Sequence, residues 1–152
     1  MVYYNYKHDR ISALAILTIS PVRHRVSIYV SLQDDNFKAV DVGPVLRSLL
    51  QQVPGPIILL WDQGRIHKGP VIREVLLDNP RLRTEFFPKY APELNPVEHV
   101  WHDFKSDSAN SLPQNKQDIE VSIHSNTYRV RRSQDRLRSF IFASELPSPF
   151  DW

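Results

Sequence analysis

The chain has 152 residues, 41% of them hydrophobic and 24% charged, with a net charge of +2. That length and balance suit one domain with a real core and exclude a disordered or collagen-like chain. With no cysteine there is no disulfide, no thiol nucleophile and no Cys-ligated zinc or iron–sulfur cluster, so any metal must rest on oxygen or imidazole.

The amino end, Met1–Tyr6, is aromatic and strand-compatible, and does not read as a signal peptide. Ser12–Ser20 and Arg25–Leu32 are β-rich runs separated by Pro21–His24, which predicts an antiparallel hairpin. Val42, Val45, Leu46, Leu49, Leu50 and Val53 then recur at helical spacing until Pro54-Gly55-Pro56 stops them. Ile57–Trp61 is the longest apolar run, strand-sized rather than membrane-sized, and predicts a strand buried on both faces and ending at Asp62. Gly69-Pro70 opens a second helix carrying Val71, Ile72, Val75, Leu76 and Leu77, and Asn79-Pro80 closes it. Leu82–Phe87 is a further strand, followed by a loop to Glu93, a helix from about Pro96 to Lys105 and a polar stretch to Asn115. Residues 117–143 read as weakly helical, with Ile119, Ile123, Val130, Leu137 and Ile141 on roughly one side. The order β-β-α-β-α-β predicts an α/β fold with a mixed sheet and a parallel crossover.

Two carboxylates stand out by position. Asp62 follows the carboxyl end of the most apolar strand, where open α/β sheets place their ligands. Glu98 lies in the first turn of the helix after Asn95-Pro96. Each also has a purely structural explanation: Asp62 could begin a turn with Gln63-Gly64, and Glu98 could close a capping box with Asn95. Glu98 and His102 share a helix face at i and i+4, compatible with zinc, but the H-E-x-x-H order and a third ligand are lacking. Arg129, Arg131, Arg132, Arg136 and Arg138 stand against Asp135 alone within ten residues, a density that suits phosphate contacts or a solvated helix face equally.

The segments Leu60-Trp61-Asp62-Gln63-Gly64-Arg65-Ile66-His67 and Phe87-Pro88-Lys89-Tyr90-Ala91-Pro92-Glu93-Leu94-Asn95-Pro96-Val97-Glu98 add a specific signal. Together they resemble the catalytic core of DDE-superfamily transposases, in the insertion-sequence branch related to mariner elements. There a strand ends in Asp with a His a few residues on, and a loop of the form P-x-Y-[SA]-P-[DE]-L-N-P-[IV]-E leads into the helix bearing the last acid. The 35 residues between Asp62 and Glu98 also suit that family.

The resemblance implies a ribonuclease-H-like, integrase-type mixed sheet flanked by helices. It also implies Mg²⁺- or Mn²⁺-dependent cleavage and transfer of DNA strands. On that reading Asp62 bridges two metals and Glu98 completes one site. His67 orients Asp62 or a phosphate, unless it is simply a surface His at a helix start. Asn95 caps the helix carrying Glu98. Trp101 is expected in the core, pinning that helix to the sheet. Lys105 reaches DNA phosphate or is merely solvated, and Arg129, Arg131, Arg132, Arg136 and Arg138 supply further DNA contacts.

The family's first acid stands on a central strand upstream of the hairpin, and no residue here matches it; Asp9, Asp34 and Asp35 all fall away from that position. The expectation is therefore an incomplete catalytic domain over residues 1–146, with a core at 8–105, a helical part at 115–144 and a tail at 147–152. Its two-metal site would be incomplete and the chain inactive alone. Met1–Tyr6, an upstream-encoded transposase fragment or a second transposase chain could occupy the first-strand position. The alternative is a catalytically dead module that binds DNA or partners an intact transposase. Either protein is expected in the cytoplasm, nucleoid-associated in a prokaryote, with DNA as partner and no membrane.

Overall fold

A computed structural model describes the backbone of residues 2–6 and 9–148 and the side chains of residues 10–148; Met1 and residues 149–152 of the expected tail lie outside the described residues. The chain divides into two compact units, one of residues 1–35 and 92–152, the other of residues 36–91. No helix among the described residues is long and apolar enough to cross a membrane.

In the first unit, β1 (Val2–Tyr6), β2 (Asp9–Ser20) and β3 (Arg25–Gln33) form an antiparallel sheet in the order β1-β2-β3. β1 pairs with β2 from Val2 opposite Ala13 to Tyr6 opposite Asp9, so the amino end lines the edge of β2 away from β3. The hairpin pairs Ser20 with Arg25 through Ser12 with Gln33, and His24 takes a left-handed conformation (φ 48°) in its turn. This register puts Ile11, Ala13, Ala15, Leu17 and Ile19 on the same face as Val26, Ile28, Val30 and Leu32, because side chains alternate across a strand.

Three helices cover that face: α3 (Pro96–Ser111), α4 (Lys116–Arg131) and α5 (Gln134–Ala143). They contribute Val100, Trp101, Phe104, Ile119, Ile123, Val130, Leu137, Phe140 and Ile141 to one core with β2 and β3. Trp101 is 1% exposed and meets Phe104 edge-on at 5.8 Å, so the helix bearing Glu98 is pinned to the sheet as expected. Gln134 grips the outer strand with both ends of its amide. Its Oε1 accepts from Val26 N at 3.0 Å, and its Nε2 donates to Val26 O at 2.9 Å. Arg131 Nε donates to Ile28 O at 2.9 Å, so side chains satisfy backbone groups that an edge strand would otherwise leave open.

Two boundaries differ from the sequence reading. α3 runs six residues past Lys105, to Ser111, and Leu112 ends it in a left-handed conformation (φ 47°). Its last turns carry little apolar periodicity and are held by side-chain bonds. Ser108 and Ser122 hydroxyls meet at 3.0 Å, and Asp107 pairs with Arg129 and Arg136. The weakly helical stretch is two helices, broken at Arg132, with the Ser133 hydroxyl accepting from Arg136 N at 3.2 Å to cap α5.

In the second unit, α1 (Ala39–Gln52) buries Val42, Leu46, Leu49 and Leu50, most of the predicted stripe. α1 packs on α2 (Pro70–Asp78) so closely that a Cβ at Gly43 would lie 2.4 Å from Val71 Cγ1. Arg81 closes the end of α1: its Nη1 donates to Val53 O at 2.8 Å and Gly55 O at 2.7 Å, and its Nη2 to Leu50 O. Leu50 and Val53 lie at the end of α1, where carbonyls lack an intrahelical partner, and Gly55 belongs to the loop that follows. β4 (Ile57–Trp61) and β5 (Leu82–Phe86) are parallel, joined through α2, with Ile57 opposite Leu82 and Trp61 opposite Phe86. β4 is not buried on both faces: Ile58 is 71% and Leu60 42% exposed, whereas Trp61 is buried.

Candidate active site

Because β4 and β5 are parallel, both release their chains at the same edge, and Asp62 is the first residue beyond β4. The ladder extends to that edge through Phe87 N donating to Trp61 O at 2.8 Å. Gln63 Nε2 donates to Phe87 O at 3.2 Å and ties the two exit loops together. Within the first loop a 3-10 turn at Arg65–His67 folds the chain back on itself. Asp62 Oδ1 thereby accepts from Gly64 N at 2.7 Å and meets His67 Nε2 at 3.1 Å.

His67 stacks on Trp61 with ring centroids 4.6 Å apart and planes at 28°, and Trp61 stacks in turn on Phe86 at 6.1 Å. Lys68 Nζ lies 5.4 Å from the centre of the Phe86 ring. Burial pushes the His67 imidazole below its ordinary value, and this desolvation outweighs the opposing pull of the Asp62 carboxylate. In this pair His67 Nε2 is the donor and Asp62 Oδ1 the acceptor. His67 Nδ1 is buried without a hydrogen-bond partner among the described residues, as is the Trp61 indole nitrogen. The Asp62 side chain is 54% exposed, and its Oδ2 has no partner among the described residues. Asp62 and His67 are thus brought together, whereas the alternative of His67 as a plain surface residue does not describe a side chain only 13% exposed.

Glu98 is the third residue of α3, in the unit of residues 1–35 and 92–152. Asn95 Oδ1 accepts from Val97 N at 3.2 Å and Pro96 occupies the first helical position, so Asn95 caps the helix as the sequence suggests. A 3-10 turn at Pro92–Leu94 precedes it, fixed by Asn95 N donating to Pro92 O at 3.0 Å and Glu145 N to Glu93 O at 2.9 Å. The Glu98 side chain makes no return bond to the cap. At α1 the equivalent bond does form, with Asp41 Oδ2 accepting from Lys38 N at 2.7 Å. The Glu98 carboxylate is exposed, with no hydrogen bond or ion pair among the described residues. Val100, two residues on and so on the opposite face of the helix, is fully buried.

The arginine cluster is largely engaged within the first unit. Arg136 Nη2 donates to both Asp103 oxygens, at 2.7 and 2.8 Å, and lies 3.4 Å from Asp107 Oδ2. Arg129 pairs with Asp107 and donates to Asn126 Oδ1 at 2.9 Å. Arg138 Nη2 reaches His24 O in the hairpin turn at 2.5 Å. Arg132 Nη1 donates to the Tyr128 hydroxyl at 2.8 Å and its guanidinium covers that ring, on an exposed surface. Lys105 is exposed and has no partner among the described residues. The Asp103 and Asp107 partners went unnoticed in the sequence, although an i, i+4 acidic pair one helix before a basic run is a readable signal. Gly64 and Trp61 were likewise missed as supports of Asp62. Among the described residues no three His, Asp or Glu side chains gather as a metal cluster.

No curated protein matches this sequence. Among solved structures, a chain of the simian T-cell lymphotropic virus intasome in complex with PP2A regulatory subunit B56 gamma is similar at 11% identity and a TM-score of 0.65. That match covers 97% of this chain, which spans about half, 54%, of the viral assembly's chain. The catalytic domain of Mos1 mariner transposase is similar at 12% identity and a TM-score of 0.50, over 90% of this chain and 83% of that one. The catalytic core domain of BIV integrase is similar at 14% identity and a TM-score of 0.50, over 91% and 95%. At such identities the likeness is one of fold, and it is the ribonuclease-H-like fold of transposase and integrase cores. A family model of the DDE superfamily endonucleases matches residues 5–120, a span that contains both Asp62 and Glu98, and the chain belongs to that family.

Proposed function

We propose that this chain is a transposase-type catalytic module that acts on DNA phosphodiesters with a divalent metal, Asp62 and Glu98 each supplying oxygen ligands. The observation that carries the reading is the Asp62 carboxylate: it stands at the carboxyl end of β4 on a half-exposed side chain, with Oδ1 fixed by two donors and Oδ2 without a partner among the described residues. Glu98 offers a second exposed carboxylate without an internal partner. Two hard oxygen donors suit Mg²⁺ or Mn²⁺, and the Cys-free chain offers no thiolate that would favour a softer ion. When bound, the metal supplies Lewis-acid stabilisation of the phosphoryl group and activation of the attacking hydroxyl or water.

The chain's own residues do the rest. His67 and Gly64 hold Asp62 in place, and Asn95 with the Pro92–Pro96 loop fixes the first turn of α3, which carries Glu98. Lys105 and Arg132 meet DNA phosphate, as does Arg131 through the guanidinium nitrogens left over from its Nε bond to Ile28 O, while Arg129, Arg136 and Arg138 chiefly hold the helices and the hairpin in place. No residue here is assigned the family's first acidic role; in this reading a further transposase chain supplies it. The module then works where DNA is, in the cytoplasm and at the nucleoid of a prokaryote.

Metal retention tests the reading without requiring turnover. Free Mn²⁺, followed by electron paramagnetic resonance during titration of the full chain, is expected to be retained by the wild type. Asp62→Asn and Glu98→Gln, which keep shape and remove charge, each weaken that retention about tenfold or more. Equal retention by the wild type and both variants would sink the assignment.

A further inference from the structure

Asp62 is held in an unusual way at one oxygen only. Its Oδ1 accepts from Gly64 N at 2.7 Å and from His67 Nε2 at 3.1 Å. A carboxylate oxygen has two in-plane lone pairs, so two such donors occupy both. His67 is fixed on its other side by its stack on Trp61 at 4.6 Å, and its buried Nδ1 makes no competing hydrogen bond.

Gly64 carries the second, independent observation. Its backbone lies at φ −56° and ψ 148°, a region open to any residue, so a glycine is not required there for conformation. A Cβ at this position would nevertheless lie 2.7 Å from Asp62 Oδ1 and 3.5 Å from His67 Cδ2. The first distance is far inside van der Waals contact, and the carboxylate end is the part able to move away. A methyl group at position 64 would therefore leave the backbone in place and turn Asp62 out of its bonds.

We infer that Gly64 and His67 form a clamp that fixes the Asp62 carboxylate by its Oδ1, so that Oδ2 is the oxygen it would offer a divalent metal. Gly64 is a positioning residue in this arrangement, acting through Asp62 rather than on the substrate. The inference rests on the proposed role of Asp62 as ligand and names the residues that aim its carboxylate. A carboxylate locked in one orientation gives up little rotational freedom when it binds, which strengthens a site with few ligands.

Two measurements on the full chain test it. In the first, without added metal, long-range ¹H–¹⁵N correlation of the His67 ring is expected to show a single Nε2–H tautomer with a bare Nδ1. Gly64→Ala, having lost the acceptor, is expected to show mixed tautomers. A wild-type ring that carries its proton on Nδ1 alone, leaving Nε2 bare, or an unchanged ring in Gly64→Ala, overturns the clamp. In the second, Mn²⁺ titration is expected to show affinity reduced about tenfold in Gly64→Ala and His67→Leu, with His67→Gln, which retains an amide donor, within about threefold of the wild type. Wild-type affinity in Gly64→Ala and His67→Leu beside a loss in Asp62→Asn overturns the clamp alone. Wild-type affinity in Asp62→Asn overturns the ligand assignment itself, and the tautomer measurement still judges the clamp.

Discussion

Trp101→Ala is expected to lower the unfolding free energy of the first unit by about 3–5 kcal/mol, measured by urea denaturation followed by far-ultraviolet circular dichroism. Trp101 is 1% exposed and packs edge-on against Phe104, itself fully buried, in a core shared by β2, β3 and all three helices of the unit. Truncation would leave a cavity bounded by groups that five elements hold in place, so collapse around it is limited. Its indole nitrogen is buried without a partner, which sets the scale of a control. Trp101→Phe removes that unsatisfied donor while keeping most of the apolar surface, and is expected to cost much less, about 1–2 kcal/mol. Comparable losses in the two variants would show that the cavity is not the dominant effect. A loss below about 1 kcal/mol for Trp101→Ala would mean that this core does not hold the unit together.

The second large effect concerns DNA. In the proposed reading Lys105, Arg131 and Arg132 contact phosphate, and each such contact contributes about 0.9 to the slope of log affinity against log salt. The combined replacement of all three by alanine is expected to flatten that slope by roughly 2.7, measured by fluorescence anisotropy with a labelled duplex at several salt concentrations. Between 50 and 200 mM salt this corresponds to tens-fold less loss of affinity. Arg136→Met provides the contrast. Its guanidinium is held by Asp103 at 2.7 and 2.8 Å, so the expected change is in stability, with the salt slope retained. A slope unaffected by the triple replacement would move the DNA surface elsewhere on the chain.

Much of the fold is legible from pattern. The alternation in Arg25–Leu32 sets which face of the hairpin is buried, because a one-residue slip would turn Val26, Ile28, Val30 and Leu32 outward, whereas Ser12–Ser20 carries apolar residues on both faces and takes its register from that partner. The stripe from Val42 to Leu50 fixes α1, and the Asn95-Pro96 pair marks the start of α3 with its cap. The end of α3 was not legible, since residues 106–111 carry no apolar repeat. They are helical because Asp107 and Ser108 find partners on later helices, at separations of 14 to 29 residues. Ile58 and Leu60 misled for the opposite reason: apolar composition does not reveal that one face of β4 is left open.

The candidate site divides similarly. Asp62, Glu98 and His67 are found by motif, and Asn95 by capping logic. The role of Gly64 depends on a 2.7 Å approach that no spacing rule encodes, and that of Trp61 on a ring stack. The arginine run shows its charge in the sequence but not its engagement, because the acids that take up Arg129 and Arg136 lie 22 to 33 residues earlier.

The central claim is that Asp62 binds a divalent cation through one defined oxygen. Crystals of the full chain grown in MnCl₂, with anomalous diffraction data collected near the manganese edge, test this most directly. The account predicts an anomalous peak about 2.1 Å from Asp62 Oδ2, with Oδ1 still bonded to Gly64 and His67. A peak centred on Oδ1, a carboxylate chelating through both oxygens, or no peak at Asp62 would contradict it.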